Sequence, residues 1–356
     1  MSLMSSSYSY GQLVKKYKNF SNPAFRILVG GKEMAQSGKI LVQDLRISLS
    51  YDSANTCNFT VANAYDRTKS RFYPEILDKL CLGEKVEVEI GYGSSTTLIF
   101  VGFITEVEVE YNFSPSLRIT MMDLRKLMME SNRVRQLEVK APSDAVKKVL
   151  EPYRKLYSSL KVEADTAEQE PFHLKQNKES DYDFVMRMSK EMGKDFFVLG
   201  EDVYYQEKNK NSKPIVTLTW MGGGIVSFST SMSYQVKKFQ VIGKEPNSKK
   251  EIYVSKTYQS EFVKKKALAS PPPTVYASPS IDSRQKAEEW IEDAIRKEKE
   301  KGIDANLTCI GLPELVPGRF VTCDRLGPPL NRNYYIQKVE HSIDTSGFTT
   351  KLDLGG

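Results

Sequence analysis

The sequence predicts an α+β, mainly β protein with two antiparallel β-barrel, tube-like domains and a mixed α/β side domain. Two observations carry that prediction. Apolar and polar residues alternate at period two in two blocks, residues 25–130 and residues 212–243 with 303–356. Helical spacing occurs at only a few places between them, each bounded by capping or breaking residues. The two blocks are expected to form separate sheets. At 356 residues, with 40% apolar and 27% charged, the chain has material for two or three cored domains and is not a disordered polymer.

Residues 1–24 are polar and rich in Ser and Lys, which predicts a flexible N-terminal arm. From Phe25 the pattern turns to β. Phe25 to Val29 ends at Gly30-Gly31, and Ile40 to Tyr51 sets Leu45, Ile47 and Leu49 on one face. Cys57, Phe59 and Val61 alternate again, and a short helix is expected from Tyr73 to Leu80, closed by Gly83. Val86, Val88 and Ile90 face one way before the turn at Gly91 to Ser94. A long strand then carries Ile104, Val107 and Val109, with Glu106, Glu108 and Glu110 between them, and Leu117, Ile119 and Met121 end the series. In this reading Val86 to Ile90 and Ile104 to Val109 line the first barrel's core, while the glutamates face a channel or a neighbour.

Residues 131–211 form the side domain. Pro142-Ser143-Asp144 starts a helix with Val146, Val149, Leu150 and Tyr153 on one face, ended or kinked by Pro152. Ser180 with Asp183 caps a second helix, which presents Phe184, Val185, Met188 and Met192 and closes at Gly193. Phe196 to Leu199 and Val203 to Tyr205 flank Gly200-Glu201-Asp202 as a hairpin. In the second barrel, Ile215 to Trp220 and Ile225 to Thr230 read as a hairpin about Gly222-Gly223-Gly224, followed by a strand from Gln235 to Ile242. Residues 244–302 are a connector, stiffened at Pro271-Pro272-Pro273, plus a helix joining the side domain. Asp282 and Gln285 are its capping pair, Ala287, Trp290, Ile291, Ala294 and Ile295 share its apolar face, and Gly302 ends it. Glu292 with Arg296 and Asp293 with Lys297 add pairs at helical spacing. Strands close the chain at Ala305 to Ile310, Arg319 to Asp324, Tyr334 to His341 and Phe348 to Leu354.

Chemistry is sparse. The net charge is +6, but Tyr204 to Lys266 holds twelve Lys and four Glu. Such a band attracts anionic polymers, yet it lacks the aromatic interleaving of a nucleic-acid module, so solvated loops explain it. Cys57, Cys81, Cys309 and Cys323 never fall in CxxC spacing, which predicts free thiols from a reducing compartment. No run of eighteen apolar residues appears, and MSLMSSSYSYGQL has no apolar core of signal-peptide length. His173 and His341 stand far apart, without HExxH, GxSxG or a Cys–His signature. Gly30-Gly31-Lys32 and Gly222 to Gly224 read as turns, not phosphate loops. Glu179, Asp181 and Asp183 crowd a helix start, where a general acid is conceivable but capping suffices. No catalytic, cofactor-binding or metal residue is therefore expected, no cofactor, and no enzymatic activity.

Three strings carry a family resemblance. Gln176, Glu179-Ser180-Asp181, Phe184, Gly193 and the hairpin after them resemble the mid-chain signature of the phage late control protein D family. Gly83 to Tyr92 with Phe100 to Tyr111 resembles that family's opening. Its close is similar to Gly311 to Gly318, Tyr334 to Asp344 and Gly347 to Leu354. Those proteins are baseplate hubs of contractile tails, and the hub portion of type VI secretion VgrG proteins is similar. The resemblance implies two like barrels per chain and a homotrimeric ring joining a hexameric tail tube to a trimeric central spike. The implied partners are a tail tube protein, a spike on a separate chain and other baseplate proteins, with no specific nucleic acid and no membrane insertion by this chain. Synthesis in the bacterial cytoplasm and incorporation into a virion baseplate or injection-system particle would follow. VgrG proteins continue into an oligonucleotide-fold domain and a β-helical spike, whereas this sequence stops at Leu354-Gly355-Gly356. The alternative is a tail-tip protein that binds cell wall or degrades peptidoglycan through the basic band.

Overall fold

A computed structural model describes residues 3–34, 41–168, 170–207, 210–245, 250–265, 267, 270–278, 281–300 and 304–355, without the side chains of 297, 299 and 300. The expectations placed on Ile40, Lys208, Lys266, Gly302 and Ile303, and the Lys297 ion pair, lie outside the described residues. Among the described residues strands far outnumber helices. Among the described residues no helix is long and apolar enough to cross a membrane. The chain divides into two units, residues 1–227 with 307–352 and residues 228–306 with 353–356.

In the first unit, α1 (Tyr10–Lys16) leads to β1 (Pro23–Val29), β2 (Lys32–Glu33), β3 (Leu41–Ser50), β4 (Thr56–Ala62), β5 (Tyr65–Asp66) and β6 (Arg71–Phe72). Then come α2 (Pro74–Leu77), β7 (Lys85–Tyr92), β8 (Ser95–Glu110) and β9 (Ser116–Met122). Strands β1, β7, β8, β9, β4 and β3 are neighbours in that order, every pairing antiparallel. The alternation explains the ladder, because Ile47, Phe59, Val88 and Ile119 are each buried at period two. Val109, expected in the core, is instead 46% exposed; β8 is paired there with β9 but has run beyond β7, whose ladder ends at Phe103.

The side segment holds α3 (Arg125–Glu130), β10 (Arg133–Val139), α4 (Pro142–Leu150), β11 (Ser159–Val162), β12 (Phe172–Glu179), α5 (Asp181–Glu191), β13 (Lys194–Leu199) and β14 (Asp202–Glu207). Strands β13 and β14 form the expected hairpin, and β11 adds to β14 in parallel. Val146, Val149, Phe184, Val185, Met188 and Phe196 share one core. Ser180 caps α5 through the Asp183 amide (2.9 Å). Met192 leaves the predicted apolar face, since it is the C-cap residue and 40% exposed, and Gly193 takes φ +64° just beyond it.

The remaining elements are β15 (Pro214–Trp220), β16 (Gly224–Ser231), β17 (Val236–Lys244), β18 (Glu251–Gln259), β19 (Pro273–Ala277), α6 (Arg284–Glu300), β20 (Asp304–Ile310), β21 (Phe320–Asp324), β22 (Arg332–Asp344) and β23 (Gly347–Gly355). Strands β22, β21, β15, β16, β20 and β23 follow one another, and β23 returns to β22, closing a six-stranded barrel. Three expectations are corrected here. The two blocks are not separate sheets, because β3 pairs with β22 and makes them one thirteen-stranded sheet. The barrel is not wholly antiparallel, since β15 pairs in parallel with both β21 and β16, and the expected hairpin about Gly222 to Gly224 is absent. About a hundred residues separate β15 from β21, so no tight turn constrains their direction. Finally, β17 is not a barrel strand.

In the second unit β17 pairs with β18 and β19, so the presumed connector folds as a small α/β layer. Phe239, Val241, Ile252 and Val254 meet Ala287 and Ile291 of α6, and Tyr276 stacks on Trp290 at 4.4 Å. The amide at Lys286 is capped by Ser283 rather than Asp282, whose carboxylate pairs with Lys286 Nζ at 2.6 Å.

The N-terminal arm is also corrected. Ser9 and Gln12 form a capping box for α1, and Leu13 and Tyr17 are buried. Buried Arg319 donates to the carbonyls of Leu3 (2.6 Å) and Ser6 (2.8 Å). Buried Glu314 accepts from Lys16 Nζ and Tyr17 OH, both at 2.7 Å. Every partner lies hundreds of residues away, so local polarity says nothing about this packing.

One buried ion pair joins the first sheet to the side segment. Arg125 Nε (3.0 Å) and Nη2 (2.8 Å) both donate to Asp123 Oδ2, and Nη1 donates to Ser50 O (3.0 Å), with both side chains essentially inaccessible. The Asn55 amide donates to Asp123 (3.1 Å), and Asn55 Nδ2 donates to Val198 O (2.8 Å). Replacing Arg125 by Met leaves a buried carboxylate without its counter-charge. Urea unfolding of Arg125→Met should therefore show a loss of about 3–5 kcal/mol; a loss below 1 kcal/mol would remove this pair from the account.

Candidate functional site

The most developed polar surface is the outer face of β3, β4, β8 and β9. Inward positions on these strands are apolar, so the intervening residues form rows across the outer side. Glu106, Thr120, Asn58 and Arg46 make one row, and Glu108, Arg118 and Thr60 another. Ser48 continues the face to Glu340 on β22. Together with Asp44 and Thr56 they line a shallow concavity of about 710 Å³.

A β-bulge sets the phase of this face. By strict alternation Ile104, Glu106 and Glu108 would share one side. The register shifts between Ile104 and Glu106, and Thr105 Oγ1 donates to Thr120 O at 3.1 Å. Ile104 stays buried while Glu106 and Glu108 turn outward. A second shift between Gln43 and Arg46 holds Asp44 at φ +54° and aims Arg46 into the same concavity.

Four carboxylates and two guanidiniums sit among short hydroxyl and amide side chains. Such a set of groups can hydrogen-bond and ion-pair with a polar surface laid against it. The sequence reading singled out Glu106 and Glu108 but missed Thr56, Asn58, Thr60, Arg118 and Thr120. Their signal was present as the polar half of the same alternation.

The other residues of interest do not converge. Glu179 pairs with Arg187 (2.6 Å), and Asp183 accepts from the Ser180 hydroxyl (2.7 Å). Asp181 is buried, taking Arg135 (2.8 Å), Gln176 (2.9 Å) and the Tyr153 hydroxyl (2.8 Å). Burial, with Asp181 adding to it, pushes the Tyr153 phenol up to about 12. His173 is exposed on β12 opposite Glu138, and all four cysteines are free. In the basic band Lys237 pairs with Glu298 (2.6 Å), Lys256 with Glu292 and Lys210 with Glu163. Among the described residues no cluster of three metal-ligating side chains forms.

His341 is buried on the face opposite Glu340. Its Nδ1 lies 3.0 Å from Thr350 Oγ1, and desolvation pushes its pKa down to about 3. The unfolded chain therefore binds a proton that the folded chain refuses between pH 6.5 and about 3. Stability from this group is complete above pH 6.5 and falls as pH drops through that window. Thermal melts from pH 7 to pH 4 should show His341→Gln losing less stability than wild type; parallel curves would count against a neutral buried imidazole.

The comparisons bear on the same architecture. A tail protein from Neisseria meningitidis MC58 superposes with a TM-score of 0.68 at 16% identity, over 94% of this chain and 97% of that one. The 43 kDa tail protein of prophage MuSo2 from Shewanella oneidensis gives 0.69 at 13%, over 94% and 98%. A type VI secretion component of E. coli gives 0.56 at 13%, over 92% and 76%. No curated protein sequence matches the chain. The fold is thus that of phage tail and type VI secretion proteins. The Alg8 N-terminal domain model matches residues 20–345, and the chain belongs to that family.

Proposed function

We propose that this chain is a structural hub subunit of a contractile tail or injection-type particle. Three copies would form a ring that joins a hexameric tube to a trimeric spike carried on another chain. The observation that carries this reading is the pairing of two six-strand groups in one chain, one closed and one adjoining it through β3 and β22. Three such chains supply six strand-built positions around one axis, which is what a sixfold-to-threefold joint needs. The likeness to tail proteins and the late control protein D resemblance of Gly83 to Tyr92 and Gly311 to Gly318 support it.

The reading is non-enzymatic. Glu179, Asp181 and Asp183 are each engaged by capping or by an ion pair, which supports packing roles for them over peptidoglycan cleavage. The outer face of Glu106 and Glu108 would then look onto the ring's channel or a neighbouring subunit, and a channel so lined disfavours nucleic acid. Virion or particle incorporation follows from this role. Cryo-electron microscopy of the assembled particle tests it. Threefold density for this chain at the tube–spike junction is the expected result; density in sheath, fibre or capsid would end the proposal.

A further inference from the structure

The first unit carries a protruding aromatic and, apart from it, an apolar recess. Phe113, at the tip of the β8–β9 hairpin, is 100% exposed. Its backbone is nonetheless held. The Arg67 guanidinium donates to Phe113 O, the Ser114 amide donates to Asn112 Oδ1 (2.7 Å), and Asn112 Nδ2 donates to Glu110 (3.1 Å). Tyr111 leans edge-on against Tyr65 (5.8 Å) and Phe72 (5.6 Å). A fixed stem under a bare ring is the form of a docking anchor, since little ordering remains to be done on binding.

The recess has a volume of about 440 Å³. Val101, Phe103, Leu127 and the partly exposed Leu156 line it, together with the exposed Lys85 and Lys155. Lys85 also bridges Glu87 (2.8 Å) and Glu201 (3.0 Å). A hairpin tip entering the recess would bring Glu110, three residues before Phe113, close to its rim. Phe113 cannot enter the recess of its own chain. Phe103 is already in the recess wall, and β8 continues from there to Glu110, a rise of about 20 Å away from it.

We propose that Phe113 of one copy seats in the Val101–Leu156 recess of a second copy, with Glu110 of the first against Lys155 of the second. The contact is heterologous, knob to hole, the kind that builds a ring when its rotation closes. It rests on the hub reading only in requiring several copies side by side.

Sedimentation velocity over a concentration series tests the contact on the full chain. Wild type should self-associate. Phe113→Asp, at a fully exposed site, should weaken association about thirtyfold or more with an unchanged circular dichroism spectrum. Leu156→Arg should do the same. Glu110→Lys and Lys155→Glu should each weaken it, and the double variant should regain part of the loss. In a Cys81→Ser background, mixing Phe113→Cys with Leu156→Cys chains should give a disulfide dimer that neither gives alone. A wild type that stays monomeric, as a different protein or a small apolar ligand in the recess would leave it, overturns the proposal. Association that ignores Phe113→Asp also overturns it. Threefold density at the tube–spike junction with that second result would discard this contact and keep the hub.

Discussion

The buried Asp123–Arg125 pair is the constraint on which the rest of the first unit depends. It sits where β9 ends and α3 begins, and its hydrogen bonds reach the β3–β4 turn at Ser50 and Asn55 and, through Asn55, the Val198 carbonyl of β13. A buried pair of this kind adds little net stability over a well-packed apolar substitute, because desolvation offsets most of the attraction. What it supplies is a single geometry, since any shift of the side segment against the sheet would strand a charge. Leu124 lies between the two charged residues in sequence and, with Leu127 and Val198, faces the apolar recess. The shape of that recess is therefore set by the ion pair beside it.

The polar face depends on a different device. A strand that alternates without interruption has one register, and slipping by one residue exchanges its faces. Strand β8 changes phase at Thr105, so its first half can follow β7 and its second half can place Glu106 and Glu108 outside. A bulge costs one ladder position and returns control over where carboxylates point.

Much of this was legible in the sequence and some of it was not, for identifiable reasons. Strands such as Thr56–Ala62 and Ser116–Met122 declare themselves, because their burial pattern is a direct image of the pleat. The α5 helix was equally plain, with Ser180 at one end and Gly193 at the other. Partner choice is another matter. Nothing local tells Leu45 that Ile343 is its neighbour, or Thr217 that it lies parallel to Thr322. The helix α1 was missed because one buried side chain, Leu13, with Tyr17 at its C-cap, is too little to show a period. The strand β17 was assigned to the wrong sheet because alternation reports a face and never its cover. The polar face was half seen, since attention to apolar residues discards the hydroxyls between them.

The β3–β22 ladder also shapes how the chain is made. Synthesis is vectorial, so β3 leaves the ribosome roughly 300 residues before the strand that pairs with it. Until then its backbone donors and acceptors on that side are an open edge, the kind that recruits strands from other chains. Arg46 and Asp44 lie along that strand, and their charges act as gatekeepers during the wait. Side chains that line the polar concavity of the finished protein thus guard the nascent strand against joining its neighbours too early.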